Sequence, residues 1–175
     1  KSFIPYSFLC HAFCFVACNK PTGTKSKTPA QNLTESLNKS VEITIGGQTW
    51  AVANLDGPHF RNGDLITEAK TAEEWAKAGE EGKSAWCYYD NDSANGKKYG
   101  KLYNWYAVND KRGLASKGFH IPDDEEWTTL IDYLGGADSA GTKMKSTQGW
   151  NDEANGNNSS GFTGLPGGYR YNTGH

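Results

Sequence analysis

Cysteine is scarce where it could matter. Of four cysteines, three (Cys10, Cys14 and Cys18) fall in the first eighteen residues, which leaves Cys87 alone in the rest of the chain. A single thiol cannot close an intrachain disulfide, and no CxxC pair or closely spaced His/Cys set suggests a zinc site. The four histidines, His11, His59, His120 and His175, are scattered. GxSxG, HExxH and phosphate-cradling glycine motifs are all missing, so no common hydrolase, metalloprotease or nucleotide-binding signature is present. Charge of one sign is lacking too. A formal net charge of -2 offers no basic surface for nucleic acid. Long apolar runs are missing: Phe3 to Ala17 is broken by Pro5, Ser7 and His11, too short and interrupted for a membrane span.

What is present describes one domain behind a leader. The mean hydropathy of -0.72 leans towards disorder, but 13% aromatic residues argue for a packed core. Residues 1–17 read as a signal peptide. Phe15 to Cys18, FVAC, resembles a bacterial lipobox, in which Cys18 would receive lipid and become the mature N-terminus. An ordinary secreted protein and a buried N-terminal segment are the alternatives. Residues 18–40, rich in Thr, Lys, Ser and Pro after Cys18, read as a flexible tether. The localisation expected is the bacterial cell envelope, as an outer-membrane lipoprotein or a secreted protein.

The domain is expected over residues 41–175. Val41, Ile43 and Ile45 alternate with polar residues before Gly46-Gly47, and Gln48 to Leu55 supplies a partner strand, which predicts a hairpin. Residues 71–79, TAEEWAKAG, predict a short helix capped by Thr71, with Glu74 at the capping-box position, Trp75 and Ala78 inside and Gly79 as its stop. SAWCYY reads as a buried strand, DNDSANGKK as a polar loop, and YGKLYNWYAV as a helix with Leu102, Trp105 and Tyr106 on one side.

GFHIPDDEEWTTLIDYLGG raises the question of acid/base chemistry, because four acidic residues precede a Trp. The spacing answers it. Trp127, Leu130, Ile131 and Leu134 form one apolar helical face, Pro122 stops backward extension, Asp123 caps, Glu126 sits at the third helical position, and Gly135-Gly136 ends the helix. Carboxylates in a first turn also meet the positive end of the helix dipole. From Gly141 onward, repeated glycines predict ordered loops with little helix, pinned by Trp150, Phe162 and Tyr169.

The phrases IGGQTWAVANL, YGKLYNWYAV, GFHIPDDEEWTTLIDYLGG, AGTKMKS..GW and FTGLPGGYR, in this order, resemble the Fibrobacter succinogenes major paralogous domain. The resemblance covers about residues 41–171. The FHIPDDEEWTTL phrase is similar to "RLPTEAEWE" of sulfatase-modifying domains, which belong to the C-type lectin-like superfamily. It implies an α+β, C-type lectin-like fold with an N-terminal hairpin, two main helices and a long loop-rich half. Family members usually continue beyond GGYR through further strands, so C-terminal strands are expected to be missing here and one edge of the hairpin to be open.

The function expected is a non-catalytic binding module of the envelope or cell surface, with glycans as the first candidate ligand. Trp150, Tyr169 and Tyr171 are the candidate stacking residues, with core packing as the bland alternative for each. A structural or protein-interaction lipoprotein is the second expectation. An enzyme related to the formylglycine-generating factors is disfavoured, because their active-site cysteine pair has no counterpart beside Cys87. Candidate calcium ligands are Asp90, Asp92 and Asn95 in one loop and Asn151 and Asp152 in another. Trp150-Asn151-Asp152 also spells part of a lectin calcium motif. Turn formation by Asx and Gly is the competing explanation for both loops. No other cofactor and no nucleic acid are expected, and the protein is expected to be a monomer held to a membrane by its lipid.

Overall fold

The computed structural model describes residues 17–18, 42–151 and 153–174. Along the chain, β1 is Ala17–Cys18, β2 Glu42–Ile45, β3 Gln48–Ala51 and β4 Thr67–Glu68. Helix α1 (Ala72–Glu80) precedes β5 (Ala85–Cys87), a 3-10 turn (Tyr89–Asn91) and α2 (Ser93–Tyr99). Then come β6 (Leu102–Tyr103), α3 (Trp105–Val108), α4 (Asp124–Tyr133) and α5 (Ala137–Met144). The fold is α+β, with two small sheets and several helices. None of its helices, among the described residues, is long and apolar enough to cross a membrane.

The chain forms two compact units. One joins the strands at 17–18 and 42–51 to residues 118–164. Its sheet has the order β1-β3-β2, all antiparallel, with Ile43 opposite Trp50 and Ile45 opposite Gln48. The turn between β2 and β3 places Gly46 at φ 58° and Gly47 at φ 86°, the pair of left-handed residues that a two-residue hairpin needs. The second edge of β3 is not open over its whole length: Ala17 and Cys18 pair with Trp50 and Thr49. The rest of the leader and tether lies outside the described residues.

Trp50 is fully buried and meets Trp127 (ring centroids 4.8 Å apart) and Phe162 (5.8 Å). Trp127 and Phe162 close the triangle at 6.1 Å. Such aromatic pairs add about 0.5–1.5 kcal/mol each beyond the area they bury. Leu130 and Leu134 of α4 join the buried set, as the helical spacing predicts. Asp123 caps α4 by accepting from the Glu126 backbone N–H, and Glu126 accepts from the Asp123 N–H, so the capping box is closed. Glu126 also lies 2.7 and 2.8 Å from His120 Nε2. The acidic run is therefore the start of a helix.

The other unit joins residues 54–117 to 165–174. Its sheet, β4-β5-β6, pairs β4 with β5 in parallel and β5 with β6 antiparallel. Ala69, Trp75, Ala85, Cys87 and Leu102 form its apolar centre, with Ala78 packed against it. Thr71 caps α1 through the Glu74 N–H, whereas Glu74 itself accepts from the Lys70 N–H, so the box closes one residue early. Helix α1 runs through Gly79 and stops at Glu81, followed by Gly82 at φ 67°. Gly82 rather than Gly79 gives the left-handed exit.

Two further expectations need correction. DNDSANGKK is not all loop, because Asp92 accepts from the Ala94 N–H and starts α2. YGKLYNWYAV is not one helix. Leu102 and Tyr103 are buried strand residues, and Asn104 then caps α3 through the Ala107 N–H. From Gly141 onward, among the described residues, only the last turn of a helix, α5, is regular, in keeping with the little helix expected there. The rest of that region is irregular, as expected.

Candidate functional site

The expected stacking residues divide. Trp150 is half-buried, and its indole N–H lies 3.1 Å from both the Ser146 hydroxyl and the Gly164 carbonyl. Lys145 Nζ sits 4.9 Å from the ring centroid. These contacts pin a loop from within. Tyr169 and Tyr171 are exposed, the latter to 55%, and meet edge to face at 4.9 Å with their hydroxyls 3.1 Å apart. That hydrogen bond raises the pKa of the Tyr171 phenol. The pair is held from behind. Trp75 Nε1 donates to the Tyr171 carbonyl (2.9 Å), and Arg170 donates to the Gly174 carbonyl (3.0 Å) and to Asn91 Oδ1 (2.6 Å). Gly168, at φ 73°, lies against the Tyr89 ring, where a Cβ would collide.

Among the described residues, the candidate calcium oxygens are engaged elsewhere or exposed. Asp92 Oδ1 caps α2, Asn95 Nδ2 donates to the Tyr89 carbonyl, and Asp90 is exposed in a left-handed conformation at φ 54°. Asn151 is exposed, and Asp152 lies outside the described residues. Among the described residues no three of His, Cys, Asp or Glu come together as a metal-ion site. Cys87 is buried in the core, and burial raises its thiol pKa against the opposing hydrogen bond of Arg170.

The structure shows a cleft whose aromatic residues the sequence places on a helix face. Trp105 stands 54% exposed beside the exposed Tyr106. Both rings rise from the single turn of α3, whose Ala107 is fully buried and anchors it. Asn104 locks this turn in place. Its Oδ1 accepts from the Ala107 and Ala85 N–H groups, and its Nδ2 donates to the Lys83 carbonyl. Together with Ser84, Asn109, Asp110 and Lys111, the two rings line an open cleft of about 340 Å³.

The polar side of the cleft is fixed by charge pairing. Arg112 donates two parallel hydrogen bonds to Asp110, at 2.9 and 2.8 Å, and a third to Asp64 at 2.9 Å. Its guanidinium stacks 4.0 Å from the Phe60 centroid. The guanidinium holds the Asp110 carboxyl well below the usual carboxylate range, and Arg112 and Asn62 lower Asp64 as well. Asp110 is thus a preset acceptor, held by a guanidinium that it shares with Asp64. By contrast, the side chains of Trp105, Asn109 and Lys111 have no hydrogen bond, ion pair or ring contact among the described residues.

A larger hollow of about 520 Å³ lies by Thr44, Tyr133, Lys143 and Ser160 in the other unit. Two of its polar groups are already engaged by the backbone. Lys143 Nζ donates to the Leu134 carbonyl at 2.8 Å, and the Ser160 hydroxyl donates to the Lys143 carbonyl at 2.8 Å. The Tyr133 ring covers the hairpin turn so closely that a Cβ on Gly46 would lie 2.6 Å from it.

Residues 43–175 match the model of the Fibrobacter succinogenes major domain. The chain belongs to the Fibrobacter succinogenes major domain family. No curated protein and no solved structure matches it. The cleft offers two rings, one amide, one ammonium, one hydroxyl and one oriented carboxylate.

Proposed function

We propose that this domain is a non-catalytic binding module of the bacterial cell envelope that takes glycans on solvent-facing aromatic side chains. The observation that carries the reading is Trp105, held 54% exposed on a turn locked by three hydrogen bonds of Asn104. A large ring kept in water by a rigid mount loses burial energy that a sugar face restores on stacking. Tyr169 and Tyr171 offer a second exposed aromatic surface. The scaffold is proposed to be C-type lectin-like, on the resemblance of FHIPDDEEWTTL to the sulfatase-modifying phrase.

A glycan array probed with the full chain tests the reading. Binding to a defined set of oligosaccharides, without their turnover, is the expected result. Turnover of a bound sugar would make the protein an enzyme. A blank array with a copurifying envelope protein would favour the structural alternative. Anchoring through Cys18 is proposed from the lipobox resemblance. Incorporation of labelled palmitate that is lost in Cys18→Ser is the outcome expected.

A further inference from the structure

We propose that the Trp105 cleft selects a sugar bearing a carboxylate, such as a uronate, with Trp105 stacking the ring and Lys111 pairing the acid. The inference rests on the glycan reading above and narrows it to one cleft and one ligand class. The charges lining the cleft decide the class. Asp110 is held by the bidentate Arg112, a guanidinium that it shares with Asp64, so this trio is fully paired and keeps one net negative charge. Lys111 is exposed and has no ion pair among the described residues, so its ammonium is the charged group of the cleft left free to meet a ligand. An ammonium beside an aromatic face attracts an anionic group on a stacked ring, and a charge-assisted hydrogen bond is about twice as strong as a neutral one.

The remaining groups suit the hydroxyls of the same ring. The Asp110 carboxylate is ionised and immobilised, which makes it an acceptor for sugar O–H groups. Ser84 Oγ, 3.4 Å from Asp110 Oδ2 and 3.1 Å from the Tyr106 carbonyl, buttresses it. The Asn109 amide is exposed and can both donate and accept. The Tyr106 ring lies over Gly82, where a Cβ would be 3.5 Å away, so the second wall of the cleft rests on the backbone. The larger hollow near Tyr133 lacks this combination, because its lysine already donates to the Leu134 carbonyl.

The test uses the full chain and three probes: trigalacturonate, its methyl ester, and the neutral cellotriose. Binding is read by calorimetry and by quenching of tryptophan fluorescence. Trigalacturonate is expected to bind, with affinity falling about tenfold on methyl esterification and by a similar factor in Lys111→Met, the equivalent of about 1.4 kcal/mol. Lys111→Arg should retain binding, and added salt should weaken the wild type more than Lys111→Met. Trp105→Ala should abolish binding while its thermal melt stays close to the wild type, because the ring is largely in water. Trp105→Phe, which keeps a stacking face, should bind in between. Equal affinity for acid and ester would overturn the acidic-sugar inference and leave the glycan reading standing. Undiminished binding in a folded Trp105→Ala would overturn the cleft assignment alone. A full array without any glycan response would sink both.

Discussion

Replacing Asp56 should destabilise the protein more than replacing its partner Lys101, although the two share one ion pair. The Lys101 side chain is 7% exposed and that of Asp56 is 57% exposed. The ammonium donates to the Asp56 carboxylate and, at 2.8 Å, to the Asp56 carbonyl. It also sits 4.6 Å from the Trp86 ring centroid and 5.1 Å from that of Tyr88. Removing the carboxylate leaves a buried cation with partial compensation. Breaking a fully buried pair in this way costs about 3–5 kcal/mol, and solvent around the half-exposed Asp56 screens this one. The surviving carbonyl and ring faces should reduce the loss in Asp56→Ala to about 2–3 kcal/mol. Lys101→Met acts differently. It removes the charge that was costly to bury, fills the space of the stem, and returns Asp56 to water, so the expected loss is about 1 kcal/mol or less. Urea unfolding of both single variants and the double variant reads these values. On the Lys101→Met background, Asp56→Ala should cost almost nothing, since no buried cation remains. An equal or larger loss in Lys101→Met, or a full Asp56→Ala penalty on that background, would show that the buried ammonium does not set the cost.

Two glycine substitutions should move stability in opposite directions. In Gly156→Ala the new methyl would collide with the Lys145 carbonyl oxygen, a backbone atom that cannot swing away, and the expected loss is about 1–3 kcal/mol in urea melts. Gly79→Ala lies inside α1 with open space around it and should gain about 0.5–1 kcal/mol; a loss there would contradict the helix placement. The depressed Asp110 carboxyl sets a pH dependence. A folded-state pKa below the unfolded one stabilises the native state above the ordinary carboxylate range, and the contribution is lost as pH falls through and below it. Stability measured from pH ~6 to ~2 should therefore fall less steeply in Asp110→Asn than in the wild type; parallel curves would show that the pair does not contribute.

The elements legible in the sequence are those in which a local signal and a tertiary role agree. Asp123, Glu126 and the Trp127–Leu134 face specify α4 completely, since cap, box and apolar spacing coincide. The Gly46-Gly47 turn is equally local. Helices α2 and α5 were hidden because SANGKKY and ADSAGTKM contain Gly, Ser, Asn and Thr, which carry weak helix preference. The cleft was hidden for another reason. Leu102, Trp105 and Tyr106 mimic a buried helix face, but Asn104 divides the run, so Leu102 belongs to a strand and the two rings rise from the next turn. The Asn104 cap ahead of WYAV is the signal that could have revealed it. The inward turn of Trp150 had no such marker, because Ser146 and Gly164 meet its indole only in the folded loop.

The Trp50–Trp127–Phe162 triangle also has a consequence during synthesis. Strand β3 is made early, while two of the rings that shield its Trp50 belong to segments made much later. At a translation rate of about 5–20 residues per second, Trp127 follows Trp50 by roughly 4–15 seconds and Phe162 by roughly 6–22 seconds. Through that interval the nascent hairpin has a large indole without its final cover. The unit can close only after most of the chain has left the ribosome, so holding factors that mask aromatic segments would act most strongly on the first third of this protein.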